Sequence, residues 1–118
     1  MQRESALRKP ILLVQTRPVS AEREDEFNDY YVTRHLADVL TIPGYGSATH
    51  YVRHSTRPPA GLHRPPNEFY VTIYELDTDD VDAAAQSLKD AHGRIFGSDA
   101  VDRERLLADY YVPLGHEG

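Results

Sequence analysis

The chain has 118 residues and no cysteine, so it fits one small domain and cannot form a disulfide framework, a thiolate nucleophile or a cysteine-ligated metal site. Asp and Glu outnumber Lys and Arg by 19 to 13, and the net charge of −6 argues against a nucleic-acid binder. No apolar run reaches the roughly 20 residues that cross a bilayer, and the first residues lack the apolar centre of a signal peptide. We therefore expect a cytoplasmic protein that binds neither nucleic acid nor membrane.

The first half of the chain predicts a strand, a long helix and a second strand. Residues 1–9 are polar and are expected to be flexible, whereas the apolar run that follows predicts a strand over 11–17. Acidic residues at its start favour a helix over 21–40. Pro43 and Gly44 cannot continue that helix, and the Ser, Thr, Tyr and Val content of 46–54 predicts the second strand.

The second half predicts a loop, a strand, a helix and a last strand. The prolines of 55–67 disfavour regular structure, and this loop is a candidate lid or an arm to a partner subunit. Residues 69–76 alternate as a strand does, and apolar spacing from Val81 to Ile95 predicts an amphipathic helix. A short helical turn over 99–106 leads to a strand over 110–112.

The resulting order, β-α-β-β-α-β, predicts an α+β fold of the ferredoxin-like class, with a four-stranded antiparallel sheet and both helices on one face. Residues 10–114 form this single domain, with the Pro-rich loop at 55–67 inside it and a tail at 115–118. The second face of the sheet would expose apolar side chains. We therefore expect a homodimer in which a second copy covers that face.

One set of residues, most of it in or just after the first helix, forms a recognisable pattern: Phe27, the pair Tyr30-Tyr31, His35, Val39, Pro43-Gly44 and Tyr110. In this pattern the chain resembles the EthD-like family of dimeric α+β barrel proteins. The sequence departs from the family pattern at Tyr30, where Trp is frequent, and at Leu36-Ala37, where a proline often follows the histidine.

The resemblance implies a sheet-to-sheet dimer with a ligand cavity between the sheet and the helices of each subunit. Dimeric α+β barrels include cofactor-free oxygenases, isomerases, cyclases, decarboxylases, dehydratases and haem-binding enzymes, so the reaction must be argued from the site. The sequence contains no dinucleotide, nucleotide or serine-hydrolase motif, and no cofactor is expected.

His35 and Tyr31 are the candidate catalytic residues. They are four positions apart, which places them on one face of a helix. An imidazole titrates near neutrality and can act as a general acid or base, while Tyr31 could stabilise an oxyanion. The plainer interpretation is that His35 closes the helix by donating to a loop carbonyl, and the sequence leaves both open.

Candidate substrate-binding residues lie on the first helix and on two strands. His50 occupies one side of the second strand, and its plainer interpretation is a polar residue at a rim or dimer face. The histidine spacings match no zinc motif, and no metal is expected. The candidate substrate-binding set is Phe27, His50, Tyr70, Thr72 and Tyr74.

Together these observations favour a cofactor-free enzyme for a small molecule. It would carry out proton-transfer chemistry, namely cyclisation, isomerisation, dehydration or decarboxylation, on an oxygenated aromatic or polyketide-like metabolite. The alternatives are a cofactor-free monooxygenase that uses the same histidine, and a non-catalytic protein that binds a pathway intermediate.

Overall fold

The fold was analysed in a computed structural model, which describes residues 8–64, 70–93 and 97–118. It contains four strands: β1 (Ile11–Thr16), β2 (Tyr45–Val52), β3 (Tyr70–Leu76) and β4 (Leu107–Tyr111). A helical segment over residues 21–39, α1, joins β1 to β2, and the helix α2 (Val81–Asp90) follows β3. A 3₁₀ turn, Arg103–Arg105, precedes β4.

The four strands form one antiparallel sheet in the order β2-β3-β1-β4. Each helix therefore connects two strands that are separated by a third strand, which is the arrangement of two split β-α-β units. In the register, Leu12 lies opposite both Tyr74 and Tyr110, and Val14 lies opposite Thr72 and Ala108. The predicted α+β ferredoxin-like fold is confirmed.

The helix-covered face of the sheet carries the main core. Leu12, Tyr74 and Leu76 are almost fully buried there, and they pack with Val39 of α1 and Ala84 of α2. The period-two alternation of β3 explains this pattern, because every second side chain of a strand points to the same face. The strands thus place Tyr70, Thr72 and Tyr74 in one row beneath the helices.

The helix α1 is not a uniform α-helix. It begins with a 3₁₀ turn, continues as an α-helix over Glu24–Tyr30, widens into a π-helical turn over Tyr31–His35 and ends as an α-helix over Leu36–Val39. The Leu36 amide donates to the Tyr31 carbonyl, five residues back. Single π-helical turns are rare and often occur at functional sites.

The turn between α1 and β2 depends on Gly44. Its φ is +101°, which a residue with a side chain rarely adopts. A Cβ at this position would also lie 3.2 Å from the Cβ of Ala84. The predicted Pro-Gly turn therefore serves two purposes: it ends the helical segment and lets α2 pack closely against the start of β2.

Several predicted bounds differ from the observed ones. The second strand ends at Val52, so His54 lies beyond it, and β4 begins at Leu107 rather than at residue 110. The predicted turn over 99–106 contains only the 3₁₀ turn Arg103–Arg105. Phe69 and Ile95, which were assigned to the third strand and the second helix, lie outside the described residues, as do residues 65–67 of the Pro-rich loop.

The opposite face of the sheet has no helix packed on it in the described part of the chain. Ile11, Leu13, Val71 and Ile73 are only partly buried there. At the ends of the same face, Tyr51, Leu107 and Tyr111 are 50–55% exposed. This apolar surface lies on the side of the sheet away from the helices.

Candidate functional site

A cavity of about 870 Å³ lies between the helices and the sheet. The sheet contributes apolar and tyrosine side chains to its wall, and α1 contributes aromatic side chains and a histidine. Its polar and aromatic lining includes Tyr30, Tyr31, His35, Tyr74, Arg103 and Tyr110. A volume of this size is typical of a site for a small organic molecule.

His35 and Tyr30 form a hydrogen-bonded pair in the cavity wall. The Tyr30 hydroxyl oxygen lies 2.9 Å from Nδ1 of His35, and the two rings stack with centroids 5.2 Å apart. Burial lowers the pKa of His35 below its ordinary value, although the nearby Asp38 carboxylate opposes this effect. The imidazole is therefore neutral at pH 7, and its Nε2 atom makes no hydrogen bond within the described part of the chain.

The π-helical turn makes this pair possible. Tyr30 and His35 are five residues apart, and a π-turn brings such positions onto one face, whereas an α-helix aligns positions three or four apart. Tyr31, which was expected to share a helix face with His35, contacts it through a T-shaped ring pair with centroids 5.0 Å apart. The sequence reasoning did not identify Tyr30 as a residue of the candidate site, because no sequence pattern indicated a π-helical turn.

Tyr31 connects the two histidines by ring contacts. Its ring stacks almost parallel on His50, with centroids 4.4 Å apart, while its edge contacts His35. Burial raises the pKa of the Tyr31 phenol to about 12, although the neighbouring Thr16 hydroxyl opposes the rise. Tyr31 is therefore a neutral aromatic part of the wall at any physiological pH.

His50 lies behind the wall and not on the cavity surface. Its ring is sandwiched between Tyr31 and Tyr70. Nε2 lies 3.3 Å from the amide oxygen of Asn28, which can only accept, so Nε2 carries the proton. Nδ1 then accepts from the Thr72 hydroxyl at 2.8 Å. Burial, with a smaller effect of His35, lowers the pKa of His50 to about 4.

The remaining members of the predicted substrate-binding set divide in two. Phe27 and Thr72 have no exposed surface and Tyr70 has 3%, so these three support the wall from behind. The Asn28 amide donates to the Tyr70 hydroxyl at 3.0 Å, and that hydroxyl donates to the Glu24 carboxylate. A continuous hydrogen-bonded network therefore runs from buried Thr72 through His50 to the protein surface at Glu24.

Tyr74 is the member of that set that lines the cavity. Its ring edge faces His35 with centroids 6.4 Å apart, and burial raises the pKa of its phenol, so the hydroxyl keeps its proton. Within the described residues this hydroxyl makes no hydrogen bond to the protein. It is therefore available to donate to a ligand oxygen.

Tyr110 presents a different group to the cavity. The Tyr45 hydroxyl donates its only proton to the Ala84 carbonyl at 2.8 Å. It also lies 2.6 Å from the Tyr110 hydroxyl, which must then be the donor of that second hydrogen bond. Tyr110 consequently offers lone pairs, and no proton, to a ligand.

Metal and membrane features are absent from the described part of the chain. Residues 8–64, 70–93 and 97–118 contain no group of three or more His, Asp or Glu side chains arranged to hold a metal. None of the helices in these ranges is long and apolar enough to cross a membrane.

Two further histidines lie outside the pair described above. His92 is exposed and also lines the cavity. His54 lies on the surface, where its Nδ1 accepts from the Thr56 amide.

Comparison with known proteins identifies the fold. No protein-family model matches the sequence, and no curated protein matches it either. Among solved structures, the fold of this chain resembles that of the haem degrader MhuD from Mycobacterium tuberculosis, which was solved with two haems bound in its active site. The TM-score is 0.56 and the sequence identity is 16%, and the match covers 92% of this chain and 99% of that chain. A proposed monooxygenase from Shewanella loihica PV-4 gives a TM-score of 0.46 and 18% identity over 95% and 99% of the two chains.

At this level of identity the similarity shows the fold alone. The chain is an α+β protein of ferredoxin-like fold, and this fold is compatible with the dimeric α+β barrel superfamily. Membership of the EthD-like family stays a prediction.

Proposed function

We propose that this protein is a small-molecule enzyme that uses His35 and Tyr30 for proton transfer. The observation that carries the proposal is the 2.9 Å contact between these two side chains in the wall of a half-open, largely apolar cavity. A neutral imidazole beside a phenol can both remove and return a proton near pH 7. The substrate class it suits is an apolar, oxygenated aromatic or polyketide-like metabolite.

The hydrogen bond between the two residues allows two proton arrangements. When Nδ1 of His35 carries the proton and donates to the Tyr30 oxygen, Nε2 has a free lone pair and acts as a general base. The Tyr30 proton is then directed away from His35, and Tyr30 holds the imidazole in this tautomer. When Tyr30 donates to Nδ1, Nε2 carries a proton and can donate a hydrogen bond to a ligand oxygen.

Proton abstraction next to a carbonyl follows from this geometry. Nε2 of His35 takes the proton from an acidic carbon, and the electron pair moves onto the carbonyl oxygen. The hydroxyl of Tyr74 donates to that developing oxyanion, while Tyr30 keeps the imidazole oriented through its bond to Nδ1. The protonated imidazole then returns its proton to another carbon or to a leaving hydroxyl, which gives isomerisation or dehydration, and needs no cofactor.

A cofactor-free monooxygenase is the second candidate, since the same base could deprotonate a phenolic substrate that then reacts with dioxygen. The fold similarity to a haem degrader supports testing it. Oxygen consumption that requires both substrate and His35 would favour it, and turnover in an anaerobic chamber would favour proton-transfer chemistry.

Haem itself is a further ligand to test because MhuD binds it. The residues present fit a haem in part: the walls are apolar, and the exposed His92 supplies an imidazole at the cavity lining. Bound there, a haem would supply oxygen activation. A Soret shift of added haem that disappears in His92→Ala would show this use of the cavity, and an unchanged spectrum would favour the cofactor-free proposal.

We further propose that the protein is a homodimer formed through the open face of the sheet. The half-buried Leu13 and Ile73 lie in the middle of this face, and Tyr51 and Tyr111 extend the apolar surface to its edges. Apolar surface of this extent favours burial against a second copy.

The test of the proposed function is a binding and turnover screen with three variants. Small oxygenated aromatics are screened by native mass spectrometry for mass shifts and by chromatography for products. His35→Gln should bind but not convert, and Ala108→Phe, which fills the cavity from β4, should do neither. Ala83→Phe, on the exposed side of α2, is the matched control and should behave as wild type. If wild type and Ala83→Phe bind a ligand but do not convert it, the protein is a non-catalytic binding protein for that ligand.

A further inference from the structure

One cation faces the cavity without a role in the proposed proton transfer. Arg103 belongs to the 3₁₀ turn before β4, and its side chain contributes to the cavity lining. Its charge reaches the acid/base pair: burial raises the pKa of the Tyr30 phenol, and the Arg103 cation opposes that rise. Arg103 is thus within electrostatic range of Tyr30.

Two acidic residues that precede Arg103 in sequence are paired with other arginines. Asp102 accepts from Nε of Arg17 at 3.0 Å, and Asp99 accepts from Arg23 at 2.5 Å. Asp109 also lines the cavity, and its carboxylate accepts from the Tyr110 amide. Within the described residues, Arg103 forms no ion pair or hydrogen bond of its own, so its five N–H donors remain available.

The Arg103 side chain packs against Gly97. Its guanidinium lies against the Cα of Gly97, where an added Cβ would overlap Nη2 and lie 3.3 Å from Cζ. Gly97 is also a cavity residue. Any side chain at position 97 would therefore shift the guanidinium from its present position, although the backbone there does not require glycine.

We propose that Arg103 binds an anionic group of the ligand, so that the cavity selects oxygenated aromatic acids over their neutral analogues. This inference rests on the proposed function, since it names the substrate class of the same cavity. A planar guanidinium matches a carboxylate with two parallel hydrogen bonds. The apolar walls then hold the ring, and Tyr110 accepts a hydrogen bond from a ligand hydroxyl.

Calorimetric titration with hydroxynaphthoic acid and with its methyl ester tests the inference, because the two probes differ in charge and share the aromatic part. Wild type should bind the acid about tenfold more tightly than the ester, which is the usual size of a charge-assisted hydrogen bond. Arg103→Gln should lose this preference and keep the affinity for the ester.

Two further variants separate the effect of the guanidinium position from the effect of total charge. Gly97→Ala keeps the total charge and displaces the guanidinium, so it should lose the preference for the acid as Arg103→Gln does. Arg105→Gln removes a charge from the same turn but outside the cavity lining, and it should keep the preference.

The outcomes distinguish the role of Arg103 from the proposed function of the cavity. Equal affinity of wild type for acid and ester, or an equal loss in Arg105→Gln, would overturn the role of Arg103 and leave the cavity as a ligand site. Failure of wild type to bind either probe would overturn the cavity as an aromatic-ligand site and the proposed function with it.

Discussion

The burial of a neutral His50 makes stability depend on pH in a predictable direction. Its pKa falls from an ordinary 6.5 to about 4 on folding. The unfolded chain therefore binds a proton that the folded chain excludes, and stability is lost as pH falls from about 6.5 towards 4. Protonation would also reverse the hydrogen bond with Thr72, because Nδ1 would then donate to the hydroxyl from which it now accepts.

The size of the effect follows from the two pKa values. If the pKa of His50 changes by the full difference between these values, the free energy of unfolding at pH 5 is lower than at pH 7 by about 2 kcal/mol. Because the ring is only partly shielded from solvent, we expect about 1 kcal/mol.

Urea unfolding at pH 7 and at pH 5 measures this loss. Circular dichroism is the suitable signal, because the chain has no tryptophan. His50→Phe keeps a ring between Tyr31 and Tyr70 but cannot be protonated. It should be less stable at pH 7, since the Thr72 hydroxyl loses its partner, yet it should lose about 1 kcal/mol less than wild type between the two pH values. His63→Gln, a change at an exposed loop position, should follow wild type. Equal losses in wild type and His50→Phe would refute the reasoning.

Four further predictions concern other parts of the molecule. The rate of turnover should fall only at pH values below the ordinary imidazole pKa, because His35 must be neutral to act as a base and burial lowers its pKa; a limb above pH 7 in the pH–rate profile would contradict this. Tyr45→Phe should lower the free energy of unfolding by about 1–2 kcal/mol in urea titrations, because the Ala84 carbonyl loses its side-chain donor and the Tyr110 hydroxyl loses its acceptor, and an unchanged midpoint would argue against these bonds. Gly44→Ala should cost at least about 1 kcal/mol in the same assay, from its positive φ alone, whereas Gly93→Ala, where an added Cβ meets open space, serves as the control. Ile73→Lys should convert a dimer into a monomer by light scattering, and a wild-type monomer at micromolar concentration would contradict the proposed interface.

The fold could be predicted because its signals are periodic. The alternation of Tyr70–Leu76 and the apolar spacing of Val81–Asp90 each determine which side chains face the core. The Pro43-Gly44 turn identified the boundary between α1 and β2. These features depend on local sequence, and the element order then leaves few ways to close a sheet of four strands.

The site was predictable only in part because it depends on an irregular turn and on loops. The sequence singled out His35 and Tyr31, but the π-turn gives His35 a hydrogen bond to Tyr30, which the helical spacing of three or four residues did not indicate. His50 was recognised as a candidate, yet its position behind the wall follows from the stacking of three rings. Arg103 lies in a segment without periodicity, so no pattern connected it to the cavity.

The central claim is that His35 moves a proton of a bound ligand, and deuterium exchange tests it most directly. A ligand found in the binding screen is incubated in deuterated buffer with wild type, with Tyr30→Phe and with His35→Gln, and its mass is then measured. The account predicts rapid incorporation of deuterium at an acidic carbon with wild type, slower incorporation with Tyr30→Phe and none above the uncatalysed rate with His35→Gln, although all three bind. Incorporation that is equal in wild type and His35→Gln would contradict the account.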